Sequence, residues 1–100
     1  MQVLIIEDEA LAAERLANLV YRYDATIEIM GPAPSVQAGI TILEGEQKPD
    51  LILADIHLSD GRSFDIFTQV PIDCPVIFVT SYDEYALEAF SVMSIDYLLK

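Results

Sequence analysis

The sequence has 100 residues, about the size of one small domain and too short for two. Apolar residues make up 53% of it, so a packed core is expected rather than a disordered chain. The formal net charge is −12, from 17 acidic and 5 basic residues, which argues against direct binding to nucleic acid or an anionic membrane, because both would be repelled.

The cysteine content and the N-terminal sequence further limit the kinds of protein that this chain can be. One cysteine, Cys74, excludes an internal disulfide, and its place beside Pro75 at the entrance to an apolar run predicts a small packing residue. The first seven residues lack the basic flank and the length of a signal peptide. No apolar stretch approaches the roughly 20 residues needed to cross a bilayer. We therefore expect a cytoplasmic domain without membrane contact.

Short apolar runs of strand length recur along the chain. Residues 3–6, 51–54 and 76–79 are continuous apolar runs, which predicts parallel strands covered on both faces. Residues 26–30 alternate, as expected of an edge strand with one face partly in water. Residues 97–99 are a candidate final strand.

Segments between these runs carry apolar residues at spacings of three and four, which predicts four amphipathic helices. The residues that set the spacings are Ala12, Leu16, Leu19, Val20 and Tyr23 in the first, Val36, Ile40 and Leu43 in the second, Phe64 and Phe67 in the third, and Ala86, Ala89, Phe90 and Met93 in the fourth. Ser35 is a candidate N-cap of the second helix, and Ser81 with Glu84 forms a candidate capping box for the fourth. This alternation predicts an α/β fold, a flavodoxin-like doubly wound five-stranded parallel sheet of order 2-1-3-4-5.

Polar residues follow the predicted strands where a site is expected in such a sheet, at the carboxyl ends. Glu7 and Asp8 follow the first strand, Asp55 the third, Thr80 the fourth and Lys100 the fifth. Carboxylates brought together there would repel one another, by roughly 4 kcal/mol for two charges ~4 Å apart at an effective dielectric of ~20. A divalent cation removes that conflict, and Mg²⁺ prefers oxygen ligands. Each acid alone could equally be a helix cap or loop acid, but their joint placement favours a magnesium site.

A metal-held carboxylate can act as a nucleophile toward phosphorus. Asp55 fits this role because it ends the central predicted strand, while Glu7 and Asp8 would hold the metal, with the backbone carbonyl of His57 as a further candidate ligand. The His57 side chain itself is expected to be exposed in a loop. No Gly-rich phosphate loop follows the first strand, and a lone histidine and cysteine give no zinc spacing.

These segments together resemble the receiver domain of two-component response regulators, and the resemblance spans residues 1–100. The motifs that carry it are IIEDE at 5–9, DIHLSDG at 55–61, VTS at 79–81 and DYLLK at 96–100. The resemblance implies a phosphohistidine on a sensor histidine kinase as donor, Asp55 as acceptor, and Mg²⁺ bound by Glu7, Asp8 and Asp55. It further implies phosphoryl contacts from Thr80 and Lys100, and a switch in which Tyr97 turns inward.

A narrower resemblance, carried by residues 10–16 and 82–90, is to receivers of the LytTR (LytR/AlgR) class, which usually have a DNA-binding domain downstream. Two departures from the family pattern stand out. Glu7 replaces the aspartate often found first in the acidic pair, which should preserve metal binding. The family also continues past the position of Lys100 with a proline, a loop and a fifth helix. We therefore expect a C-terminally truncated receiver that either covers its open apolar face with a second chain, as in a homodimer, or is only marginally stable.

Three functions from different classes remain open at this stage. The first is a phosphorylation-driven switch, which hydrolyses its own acyl phosphate slowly and is not an enzyme acting on an outside substrate. The second is a phosphorylation-independent dimerisation or docking module, which would not need the acids, Thr80 and Lys100. The third, a magnesium-dependent phosphohydrolase, would need a further acid or base and a substrate-covering cap, and the sequence offers neither.

Overall fold

The computed structural model describes residues 1–80 and 96–99. Within these ranges the strands and helices are, in chain order, β1 (Gln2–Ile6), α1 (Ala10–Tyr23), β2 (Glu28–Ala33), α2 (Val36–Glu44), β3 (Leu51–Ala54), β4 (His57–Leu58), β5 (Gly61–Arg62), α3 (Phe64–Gln69), β6 (Val76–Thr80) and β7 (Asp96–Leu99). The fourth predicted helix falls on residues outside the described ranges.

The main sheet has five parallel strands in the order β2-β1-β3-β6-β7. This confirms the predicted order, because β6 and β7 are the fourth and fifth strands of the prediction. β2 lies at one edge of the sheet, as its alternating sequence indicates. The other two strands, β4 and β5, form a small antiparallel hairpin that the sequence analysis did not predict.

The two faces of the sheet bury different residues of the same strands. Leu4 and Ile6 of β1 point to the same side as Ile52 of β3 and are fully buried with residues of α2 and α3. This side also holds Phe78, whose ring meets that of Phe64 edge to face at 4.9 Å. The alternate positions face α1 and line an apolar cavity of about 290 Å³. Helices on both faces are what a doubly wound fold requires.

Helix α1 covers its side of the sheet only in part. All residues of the apolar stripe predicted for this helix except Ala12 border the cavity, yet Leu19 remains 58% exposed and Tyr23 87% exposed. Helix α2 is packed more closely, because a Cβ atom placed on Gly39 would lie 2.6 Å from Cδ1 of Ile66 in α3. The predicted N-cap of α2 is confirmed, since the amide of Ala38 donates to the Ser35 hydroxyl over 3.0 Å.

The second strand differs from the prediction of residues 26–30 and spans Glu28–Ala33. Its start moves because the Asp24 carboxylate accepts hydrogen bonds from the amide of Thr26 at 2.9 Å and from its hydroxyl at 2.6 Å, forming a turn. Its end moves because the pairing with β1 continues past Gly31, which adopts a φ of 89°. Among the described residues, no helix is both long and apolar enough to span a membrane.

Candidate functional site

Backbone pairing at the carboxyl ends of the central strands sets the position of the candidate site. β1 and β3 run in parallel with Ile6 opposite Ala54, so the residues that follow them are neighbours. The amide of Asp55 donates to the carbonyl of Ile6 over 2.9 Å, and the amide of Glu7 donates to the carbonyl of Ala33 in β2 over 3.0 Å. The polar residues after the first and third strands are therefore fixed by the sheet itself.

Three carboxylates converge at this edge, as the sequence predicts. Glu7, Asp8 and Asp55 each offer one carboxylate oxygen, and these oxygens all lie within 4.8 Å of one another. Glu7 is only 1% exposed, Asp55 is half-buried and Asp8 is exposed. The site therefore has a buried floor and an open, solvent-facing side.

Main-chain amides help to orient two of the three carboxylates. The amide of Ile56 donates to Oδ1 of Asp55 over 2.8 Å, which restricts rotation of that side chain. The amide of Glu9 donates to Oε2 of Glu7 over 3.3 Å. The three carboxylates remain close together, and two unit charges at the largest of these separations, 4.8 Å, repel by roughly 3 kcal/mol at an effective dielectric of ~20.

The donor set fits a hard divalent cation. All three side chains offer oxygen, the ligand type that Mg²⁺ takes, and no sulfur or imidazole atom belongs to this group among the described residues. Mg²⁺ binds typically through one or two carboxylates and keeps several waters, which suits a site with one exposed side.

The other predicted site residues are described only in part. Thr80 ends β6, next to β3, and Tyr97 lies in β7, where it pairs with Phe78. The side chains of Thr80 and Tyr97, and all of Lys100, lie outside what the structure describes, so their roles stay predictions. His57 is exposed, as predicted, but lies in β4 opposite Arg62 rather than in a loop.

The sequence analysis missed a long-range contact made by Asp60, at the tip of the hairpin. Its carboxylate accepts hydrogen bonds from the amides of Val36 at 2.7 Å and Gln37 at 3.2 Å, in the first turn of α2. The bond from Val36 is the main reason that the pKa of Asp60 lies below its usual value. The Asp60-Gly61 dipeptide is a turn signal, but nothing local in the sequence indicates a helix 24 residues away.

Cys74 lies at the other end of the sheet, before the start of β6. It is half-buried and packs against the core, which confirms the packing role predicted for it. Loss of solvent around the thiol raises its pKa, so it is a weaker nucleophile than an exposed cysteine.

Similarity to known proteins and solved structures indicates the family and the fold of this chain. Residues 3–100 match the profile of the response regulator receiver domain. The chain, over its whole length, is 41% identical to the sensory transduction protein LytT of Enterococcus faecalis and covers 42% of that protein. It is 38% identical to the positive alginate biosynthesis regulatory protein of Pseudomonas aeruginosa, of which it covers 41%. A solved N-terminal domain of a response regulator/sensory box/GGDEF three-domain protein from Carboxydothermus hydrogenoformans is 30% identical, with a TM-score of 0.79 over 99% of this chain and 81% of that one.

The chain therefore belongs to the response regulator receiver domain family, whose members are regulators in two-component signal transduction rather than classical enzymes. Its similarity to LytT and to the alginate regulator is consistent with the LytR/AlgR class. The chain spans about two fifths of the length of these curated relatives. Members of this family bind Mg²⁺ at an acidic pocket and are phosphorylated by sensor histidine kinases. This chain has a cluster of three carboxylates.

Proposed function

We propose that this domain accepts a phosphoryl group from a sensor histidine kinase on Asp55, in a reaction that requires Mg²⁺. The observation that carries the proposal is the convergence of Glu7, Asp8 and Asp55 within 4.8 Å at the carboxyl ends of β1 and β3. In this proposal the three carboxylates hold the ion together with the backbone carbonyl of His57. The bound ion would supply positive charge close to the phosphoryl oxygens.

The contribution of the chain's own residues follows from their geometry. A carboxylate oxygen of Asp55 attacks phosphorus, a P–O bond forms, and the P–N bond to the histidine of the kinase breaks as that imidazole leaves. The Ile56 amide holds the Asp55 carboxylate in one orientation, which reduces the entropy lost on reaching the transition state. Burial of Glu7 anchors the inner side of the site, while the exposed side at Asp8 admits the donor.

Thr80 and Lys100 are proposed to contact the phosphoryl group, with Tyr97 as the residue that responds. Thr80 is the last residue of β6, the strand next to β3, and its backbone therefore lies at the same end of the sheet as Asp55. Contacts made only in the phosphorylated state would supply the free energy for switching.

The output and the partners are part of the same proposal and rest on family membership. We propose that the domain works in the cytoplasm and controls DNA binding by a downstream LytTR domain. A homodimer formed through the α1 side of the sheet is also proposed, where the apolar cavity and the exposed Leu19 and Tyr23 lie.

A second candidate function is a docking module that works without phosphorylation. The same exposed apolar residues of α1 favour it, because exposed apolar patches often mark interfaces. The cluster of acids weighs against it, since a docking surface gains nothing from three carboxylates that repel one another.

The test is the intact mass of the protein after incubation with acetyl phosphate, with and without Mg²⁺. We expect a gain of one phosphoryl mass that needs Mg²⁺ and is lost in Asp55→Asn. Asp73→Asn, which removes an exposed carboxylate at the other end of the sheet, is the matched control and should be phosphorylated like the wild type. No gain in a folded wild-type protein would contradict the proposal and favour the docking module.

A further inference from the structure

The hairpin formed by β4 and β5 carries the backbone that leaves Asp55. Each of its strands has only two residues, so the ladder alone cannot hold it in place. Burial of Ile56 and Leu58 in the core fixes the depth of the first strand. The amide of Ser63 closes the base of the hairpin by donating to the carbonyl of Ile56 over 2.8 Å, and the amide of Arg62 ties the second strand to α3 by donating to the carboxylate of Asp65 over 3.1 Å.

The tip of the hairpin is tied to a different element. Both oxygens of the Asp60 carboxylate are used, Oδ1 by the amide of Val36 and Oδ2 by that of Gln37. These amides are among the first four of α2, which have no partner inside the helix. The negative charge also lies at the positive end of the helix dipole. The contact is therefore stronger and more directional than a single hydrogen bond between neutral groups.

Helix α2 is a firm anchor for this contact. It buries Val36, Ile40 and Leu43 in the core. Its Gly39 packs directly against Ile66 of α3, as noted above. A hairpin tied to such a helix cannot shift sideways without either breaking both bonds to Asp60 or moving the helix.

We propose that Asp60 is a positioning residue of the phosphoacceptor site: by tying the hairpin to α2, it fixes the backbone that follows Asp55. This inference rests on the proposed function, in which the carbonyl of His57 is a ligand of Mg²⁺. His57 lies in β4, two residues after Asp55 and three before Asp60, so a shift of the hairpin moves this carbonyl while Glu7 and Asp8 stay where β1 holds them.

The experiment compares Asp60→Ala with Ser35→Ala in the full chain. Both variants remove a cap from the N-terminus of α2, since Ser35 accepts from Ala38 at 3.0 Å, but only Asp60 links the helix to the hairpin. Hydrogen exchange at the amides of Arg62 and Ser63 without metal is the first readout. We expect exchange about fivefold faster in Asp60→Ala, the effect of losing one cap contact, and near wild-type exchange in Ser35→Ala.

The second readout is the affinity for Mg²⁺, from a titration followed by amide chemical shifts. It should fall about tenfold in Asp60→Ala, the lower end of what outer partners of a metal site contribute, and stay unchanged in Ser35→Ala. Asp60→Asn keeps one acceptor oxygen and should lie between wild type and alanine, which also provides a milder variant if Asp60→Ala unfolds.

Unchanged exchange in both Asp60 variants, or wild-type Mg²⁺ affinity in them, would overturn the proposal. So would equal losses in the Asp60 and Ser35 variants, because the effect would then come from the stability of α2. A wild-type protein that does not bind Mg²⁺ would remove the proposed function, and the positioning role with it. Wild-type binding that is insensitive to Asp60 would remove the positioning role alone.

Discussion

The amide of Asp55 donates a hydrogen bond to the carbonyl of Ile6, and this 2.9 Å contact puts the residue after β3 directly beside the residues after β1. Main-chain pairing thus brings the three acids of the site together, and Glu7 is the most deeply buried of them. The energy that holds the strands together offsets the repulsion between the carboxylates. A cation bound by the three carboxylates, as proposed above, would relieve this repulsion, so the stability of the domain should depend on metal.

Neutralising the exposed acid of the cluster should stabilise the protein without metal. In Asp8→Asn, one of three carboxylates within 4.8 Å loses its charge. We expect the free energy of unfolding in EDTA to rise by roughly 1 kcal/mol, the upper end for exposed charge pairs. Such a change raises Tm by about 4–8 °C in a domain of this size. Thermal and urea denaturation measure it.

Adding magnesium should reverse the order of stability, so that the wild type becomes more stable than Asp8→Asn. The wild type gains stability by binding the ion in its folded state, and Asp8→Asn gains less because it has lost a ligand. Asp73→Asn controls for net charge and should respond to Mg²⁺ like the wild type. Equal responses of wild type and Asp8→Asn would show that Asp8 does not belong to the metal site.

The contact between α2 and α3 should show strong coupling between Gly39 and Ile66. Alanine is the better helix former by about 1 kcal/mol, but its Cβ would lie 2.6 Å from Cδ1 of the fully buried Ile66. Gly39→Ala alone should therefore destabilise the domain, by about 1–3 kcal/mol as for other overpacked cores. Ile66→Val removes Cδ1, so in that background Gly39→Ala should be neutral or stabilising.

A double-mutant cycle from urea denaturation checks this coupling. We expect an interaction free energy of at least about 1 kcal/mol between the two sites. The control is a second cycle with Ile40→Val in place of Ile66→Val, because Ile40 is also a buried isoleucine but lies in α2 itself. An additive double mutant, or equal coupling with Ile40→Val, would mean that Ile66 moves aside without cost.

The sheet order and the convergence of the acids could be predicted because both depend on strongly local signals. Apolar runs such as residues 51–54 define the strands, and alternation with helices restricts the topology, so the strand ends have few possible neighbours. Glu7, Asp8 and Asp55 then meet as a consequence of strand order. The strand order and the meeting of these three acids can therefore be predicted from the hydrophobic pattern and from the positions of the acids in the sequence.

The rest depends on contacts that no local pattern contains. The start of β2 is set by the side chain of Asp24, which forms a turn with Thr26 where the apolar alternation predicts a strand. The role of Asp60 depends on the amides of Val36 and Gln37, far away in the sequence. Such contacts exist only once the sheet has brought the elements together.

Removing the Ser63 hydroxyl should stabilise the domain. Ser63 is fully buried, and its hydroxyl has no hydrogen-bond partner among the described residues. A buried polar group without a partner costs about 1–3 kcal/mol, so Ser63→Ala should raise the free energy of unfolding by about 1 kcal/mol. Ser35→Ala removes a hydroxyl that caps α2 and should lower it by about 1 kcal/mol. Urea denaturation of the two variants should give opposite signs, and a loss of stability in Ser63→Ala would reveal a partner for its hydroxyl.

The contact between Asp60 and α2 should make a contribution to stability that disappears in acid. The amides of Val36 and Gln37 lower the pKa of Asp60 below its ordinary value of 3.8. Because the folded-state pKa is the lower one, the contribution is fully present above the unfolded-state pKa and is lost as the pH falls through the folded-state pKa. The difference in unfolding free energy between wild type and Asp60→Ala should thus be constant from about pH 7 to about pH 5 and shrink below about pH 4. Urea denaturation at stepped pH values measures this difference, with Asp73→Ala as a control whose gap to wild type should change less. A gap for Asp60→Ala that persists unchanged to about pH 2 would mean that the carboxylate charge contributes nothing to the cap.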